Sequence, residues 1–123
     1  MKTIIAGSRN IVDPYMLEYV VNLCDWEITE VVCGMAKGVD TLGQRWAGKK
    51  DIPVKKFPAN WDKYGKAAGM RRNQEMADYA DALIAVWDGE SKGTQNMIKI
   101  ARNKGLMVLV YCTNLGKIYD YNL

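Results

Sequence analysis

There is no histidine anywhere in this sequence. That absence removes the Ser-His-Asp and Cys-His catalytic arrangements and the commonest metal-binding side chain. Cysteine is scarce as well: Cys24, Cys33 and Cys112 are widely spaced and form no C-x-x-C. A disulfide or zinc framework is therefore not expected, whereas reduced thiols in a cytoplasmic protein are. No metal site and no cofactor is expected. No apolar run approaches the roughly 18 residues that a membrane span needs, so no membrane partner is expected. The first residues, "MKTIIAGSRN", hold an apolar stretch too short for a signal peptide and read as a strand. Charge of either sign is modest too. The 17 Lys and Arg exceed the 14 Asp and Glu by three, a formal +3. Such a balance suits an anionic ligand and is too small to argue for nucleic acid by itself.

What is present is ordinary globular material, 49% hydrophobic and 25% charged over 123 residues. That length fits a single domain, 1–123, with a core that needs no staples. No internal repeat, low-complexity tract or linker divides it. "KTIIA" predicts a first strand ended by Gly7. Leu17, Val20, Val21 and Cys24 recur at helical spacing between Asp13 and about Asp25, with Asp13-Pro14 as cap and first position. "EVVC" predicts a strand stopped by Gly34, and Val39, Leu42 and Trp46 mark a helix that breaks near Lys49. "PVKKFP" is a weaker strand, its prolines pointing to a place near the sheet edge. A loop with Trp61 and Tyr64 leads into a helix from about Lys66 to Ala80. "DALIAVW" is the most hydrophobic strand and is expected at the centre. "TQNMIKIARNKG" is a helix stopped by Gly105, and "LMVLVY" closes the sheet. The tyrosine-rich tail after Thr113 receives no assignment. Strand and helix in alternation, without hairpin signals, predict a three-layer α/β sandwich around a five-stranded, mainly parallel sheet.

In such sheets ligands bind beyond the carboxyl ends of the strands, where strand order reverses. The glycine-bearing loops "GSRN", "GMAKGVD" and "DGESKGT" all follow strands and are expected to converge there. Each also has a plainer reading. Gly7-Ser8-Arg9 can be a simple strand-ending turn, or its amides and the Arg9 guanidinium can hold phosphate. A tight turn with Asp40 as helix cap accounts for Gly38 and Asp40, but less well for Gly34 and Lys37. Gly93-Thr94 at a helix start, after Asp88, Gly89 and Ser91, exposes unpaired N–H groups and the positive end of the helix dipole. Arg72 lines up with Met76 and Ala80 at i, i+4 spacing, so it belongs to the inward stripe near the ligand edge. Its alternative is to reach a surface carboxylate such as Glu75. Between Lys49 and Arg72 the cations are mostly a solvated face, although Trp61 and Tyr64 could form a base-stacking lid. Trp87 is explained as well by core packing as by stacking on a ligand.

"GSR", "VVCGMAKGVDTLGQRWA", "GMRRNQEMADYADALIAVWDG" and "SKGT", in that order, resemble the SLOG superfamily, particularly its small stand-alone YspA-like members. That group is related to the LOG phosphoribohydrolases and to the DNA-processing protein DprA. The resemblance implies a Rossmann-like fold that binds nucleotides or nucleotide-derived ligands. LOG enzymes carry an Arg-Lys pair followed by Met; here Arg72, Asn73 and Met76 hold the matching spacing, so the arginine is kept and the lysine is not. Their loop has the form P-G-G-x-G-T-x-x-E. Gly93 and Thr94 match its G-T, with Asp88 and Gly89 near its first part. The terminal glutamate, used in cleaving the glycosidic bond, corresponds to Met97, which can neither take a proton nor stabilise an oxocarbenium ion. LOG-type catalysis would then fall to Asp40, Asp88 or Glu90, with Arg72 beside them. "VVCGMAKGVDTLGQ" is closer to DprA's G-x-A-x-G-x-D, which raises single-stranded DNA binding.

The favoured expectation is a module that binds a nucleotide or an ADP-ribose-like molecule. Gly7, Ser8, Arg9, Gly93 and Thr94 would hold phosphate and Asp40 the ribose hydroxyls, with Gly34, Lys37, Gly38, Asn73, Trp87, Gly89 and Ser91 completing the site. The alternatives are a nucleotide N-glycosidase and a DprA-like nucleic-acid binder. The resemblance also implies a homodimer, and the apolar "LMVLVY" with the tyrosine-rich tail is compatible with one.

Overall fold

The computed structural model describes residues 1–122. Its sheet runs in the order β3-β2-β1-β4-β5-β6. The strands are β1 (Lys2–Gly7), β2 (Glu30–Cys33), β3 (Val54–Lys56), β4 (Ala82–Trp87), β5 (Met107–Cys112) and β6 (Lys117–Asn122). All pairings are parallel except β5 with β6. β4 is buried along its whole length and lies beside β1 at the centre, while the short β3 forms one edge.

Among the described residues there are five helices, α1 (Pro14–Val21), α2 (Val39–Lys49), α3 (Trp61–Tyr64), α4 (Ala68–Tyr79) and α5 (Lys92–Asn103), and all but α3 cover the two faces of the sheet. Ile5, Val31, Ile84, Val86 and Leu109 point from the sheet to one face, where Leu17 and Val20 of α1 and Val39 and Leu42 of α2 pack on them. Ile4, Val32, Leu83, Ala85, Val108 and Val110 point to the other, against Met76 and Ala77 of α4 and Met97 and Ala101 of α5. Alternation along each parallel strand thus feeds two cores, and burial on both faces explains why the strands are almost wholly apolar. The result is a Rossmann-like three-layer α/β sandwich. No helix among the described residues is long and apolar enough to cross a membrane.

Three expectations need correction. The sheet has six strands rather than five, so β5 does not close it. After Cys112 the chain reverses through a turn in which Gly116, at φ 65, donates its N–H to the Cys112 carbonyl at 3.0 Å. β6 then returns antiparallel, with a register shift opposite Val110 and Tyr111 that breaks the strict alternation of its side chains. α1 is shorter than its periodicity predicts. Asp13 caps it, accepting from the Tyr15 N–H at 2.9 Å, but the helix stops at Val21. Cys24 still packs against the core from the turn beyond. Finally, the loop before α4 contains a short helix, α3. Asn60 caps it by accepting from the Lys63 N–H at 3.1 Å, and a 3₁₀ turn over Gly65–Ala67 joins it to α4.

Candidate ligand-binding site

β1 and β4 are neighbours, yet the chain leaves β1 towards β2 and leaves β4 towards β5. Loops departing in opposite directions open a crevice at their carboxyl ends. A cavity of ≈ 330 Å³ lies there. β1 and its loop supply Ala6, Gly7 and Arg9; the β2–α2 connection supplies Ala36, and α2 supplies Asp40. Trp61, Lys66, Gly69 and Met70 come from the α3–α4 region, and Arg72, Asn73 and Met76 from the body of α4. The start of α5 adds Ser91, Lys92, Gly93 and Thr94, followed by Asn96 and Met97.

The α5 end of the cavity is built by a serine cap. Ser91 Oγ accepts from the Thr94 N–H at 3.4 Å and lies 3.1 Å from the Thr94 hydroxyl. This satisfies the third helical amide and leaves the first two, those of Lys92 and Gly93, without an intrahelical carbonyl. A Cβ built on Gly93 would meet nothing within 4 Å. Protein packing therefore does not require glycine at this position. The loop before it is fixed by Asp88, whose carboxylate accepts from the Glu90 and Ser91 N–H groups at 2.8 Å each. Those bonds, that of Ser91 first, hold the Asp88 carboxyl below the usual carboxylate range.

The opposite wall centres on Arg72. Its Nη1 donates to the Gly34 carbonyl and its Nε to Asn73 Oδ1 at 3.1 Å. The guanidinium lies flat against Gly34, so close that a Cβ there would fall 2.6 Å from Nη1. Asn73, buried in the helix pair, passes the connection on: its amide donates to Asn96 Oδ1 at 3.0 Å and to the Gly93 carbonyl at 3.4 Å. Arg72, Asn73 and the α5 turn are thus one hydrogen-bonded unit.

Asp40 is only 5% exposed, and its carboxylate accepts from the Ala36 N–H at 3.0 Å. Burial pushes this carboxyl above its usual range, while the Ala36 amide and the Arg72 and Arg9 guanidinium groups pull it back. Burial likewise lowers Arg72, and the Asp40 carboxylate opposes that. Asp40 is the one acidic side chain lining the cavity among the described residues, against the cations Arg9, Lys66, Arg72 and Lys92.

Of the residues nominated from sequence, Gly7, Arg9, Asp40, Arg72, Asn73, Ser91, Gly93 and Thr94 meet at this cavity. Ser8, Gly34, Lys37, Gly38, Trp87, Asp88 and Gly89 do not line it. Ser8 is buried, and its Oγ accepts from the Asp88 N–H at 3.0 Å, tying the β1 and β4 ends together. Gly38, at φ 73, lets the start of α2 approach the Ser8 and Arg9 carbonyls, where a side chain would collide. Lys37 is exposed, and Gly89 makes a left-handed turn at φ 84. Trp87 is core: its indole N–H donates to the Ser91 carbonyl at 3.0 Å. Of the two lid aromatics, Trp61 lines the cavity, whereas Tyr64 lies under the Arg71 guanidinium, 4.0 Å from the ring centre. Lys66, Met70, Lys92 and Asn96 were not nominated. Lys92 had a signal, since a Ser91 cap makes it the first helical residue.

Residues 1–64 match the family model described as YAcAr: YspA, cpYpsA-related SLOG family. Over 85 residues the chain is 36% identical to the Gene 61 protein of Mycobacterium phage D29, covering 64% of this chain and 68% of that protein. Its fold is similar to that of DNA processing protein A (DprA) from Streptococcus pneumoniae, with a TM-score of 0.70 at 20% identity. That superposition takes in 89% of this chain but only 49% of DprA, so the chain spans about half the length of that structure. With a family model covering more than half of it, the chain belongs to the YspA, cpYpsA-related SLOG family.

Proposed function

We propose that the cavity binds a nucleotide or a nucleotide-derived ligand, phosphate against the start of α5 and ribose beside Asp40. The carrying observation is Gly93: a glycine that no neighbouring protein atom requires, at a helix start whose free amides line a cavity rich in cations. Amides, the helix dipole, Lys92 and Arg9 together favour a dianionic group. Asp40 can accept from two adjacent hydroxyls, and Trp61 and Met70 offer an apolar surface to a base. A cavity of ≈ 330 Å³ falls within the ~300–1,000 Å³ range of small-molecule sites.

Binding without hydrolysis is the reading we adopt. Met97 lines the cavity at the position matching the LOG glutamate, and Asp88 turns its carboxylate to its own loop. Asp40 is left as the carboxylate for any N-glycosidic cleavage. Calorimetric titration with nucleoside monophosphates, with chromatography of the same mixtures for free base, tests both points. The expected result is saturable binding and no base. Base release that vanishes in Asp40→Asn would replace the binding reading with an N-glycosidase.

A further inference from the structure

On the face of the sheet that carries α4 and α5, those helices pack on β1, β4 and β5. β6 runs on past them, and among the described residues no helix occupies the place beside α5 and above it. A cavity of ≈ 570 Å³ lies there. Its wall is a single stripe of α5, because Lys92, Gln95, Asn96, Lys99 and Arg102 recur at i, i+3, i+4, i+7 and i+10. Its floor is Trp87 of β4 and Tyr119 of β6. The register shift in β6 builds that floor: Val110 pairs with Asp120 and Tyr111 with Ile118, which leaves Tyr119 as the extra residue. Asp120 engages Arg102, while Tyr119, 56% exposed, stands edge-on to Trp87 at 5.6 Å. No carboxylate among the described residues lines this cavity, and α5 itself contains no Asp or Glu. Lys92 and Lys99 are exposed and make no ion pair among the described residues.

From this arrangement we propose that the groove docks an acidic helix of a partner protein, laid alongside α5 and over β6. Such a helix fills the vacant place in the outer layer, at the ~8–10 Å spacing of packed helices. Lys92 and Lys99 stand two turns apart on α5, so two carboxylates seven residues apart on the partner meet them. An apolar or aromatic side chain between those carboxylates seats on Tyr119, backed by Trp87. The cations supply register and encounter rate, and the ring supplies the desolvated anchor. Nucleic acid fits the same stripe less well. Two unpaired ammonium groups and one exposed ring offer far fewer contacts than the ~6–10 phosphates that a polyanion-binding surface engages. The proposal is independent of what the first cavity binds.

Selection of a display library of helical peptides, each about 16 residues long, on the immobilised full chain tests this. The enriched clones are expected to carry Asp or Glu about seven residues apart with an apolar residue between them. Affinity for a synthetic peptide of the enriched sequence should fall about tenfold in Lys99→Glu and in Tyr119→Ala. Both side chains are exposed, so the unfolding midpoint of either variant should stay in place. Lysine in place of the peptide carboxylate that faces Lys99 should restore binding to Lys99→Glu while weakening binding to the unaltered chain. A merely structural role for Lys99 would give no such rescue. Failure to enrich any clone, clones without acidic bias, or acidic clones indifferent to both substitutions would overturn the proposal. Tighter binding of a short oligothymidylate with a steep salt dependence would overturn it in favour of nucleic acid. Self-association in sedimentation that Lys99→Glu abolishes would overturn it in favour of a second copy of this chain.

Discussion

Gly93 lines the cavity and Gly34 lies behind the Arg72 that lines it, and they are glycines for opposite reasons. At Gly34 the room a side chain would take is filled by the Arg72 guanidinium. At Gly93 that room is empty. The first glycine is explained by a protein contact 38 residues away in the chain, the second by no protein atom at all. A glycine-rich loop therefore does not by itself announce a ligand. Open space alone does not either, since Gly48 also has it; Gly93 differs in lining the cavity at a helix start.

The sharpest way to break this contrast is to fill both positions. Gly34→Ala is expected to cost about 1–3 kcal/mol in denaturant unfolding, because the guanidinium must leave its place, and to weaken nucleotide binding with it. Arg9→Ala separates binding from folding. Arg9 is exposed and makes no ion pair among the described residues, so stability should change by no more than ~0.5 kcal/mol. Loss of a charge-assisted bond worth roughly 1.5–3 kcal/mol should still reduce affinity about 10- to 100-fold by calorimetry. Gly93→Ala carries the contrast most directly. Its backbone is not left-handed and it lies inside a helix, so alanine should raise stability by about 0.4–1 kcal/mol. The added methyl should nonetheless reduce nucleotide affinity about fivefold, a loss of roughly 1 kcal/mol.

The smallest effect concerns Asp40. Folding raises its pKa above the ordinary 3.8, so its contribution to stability is present below that value and is lost as pH rises through the raised one. Asparagine does not ionise and escapes this loss. Thermal melts of Asp40→Asn should therefore gain on the unaltered chain as pH rises above 3.8, with the two converging in more acidic solution.

The contrast also marks what could be read without coordinates. Gly7, Arg9, Asp40, Gly93 and Thr94 were within reach because each follows a strand or opens a helix, and parallel topology gathers such positions at one edge. Arg72 was legible from helical phase alone. Gly34 was not, since its reason is an arginine on a distant helix. Ser8 shares its loop with Arg9, yet its hydroxyl is taken by the Asp88 amide, a pairing between strands that no local pattern encodes. β6 is not legible in the sequence because its register shift scrambles the alternation that betrays a strand. Lys92 does not stand out because the helical pattern reads from Thr94, whereas the Ser91 cap starts the helix at Lys92.

Amide chemical shifts of the labelled chain, followed as AMP is added, test the central claim most directly. The account predicts the largest movements at Lys92 and Gly93, accompanied by Gly7, Arg9 and Ala36, with Lys50 and Asp51 beyond the far end of α2 moving little. Unmoved Lys92 and Gly93 amides in the presence of saturating AMP would contradict it.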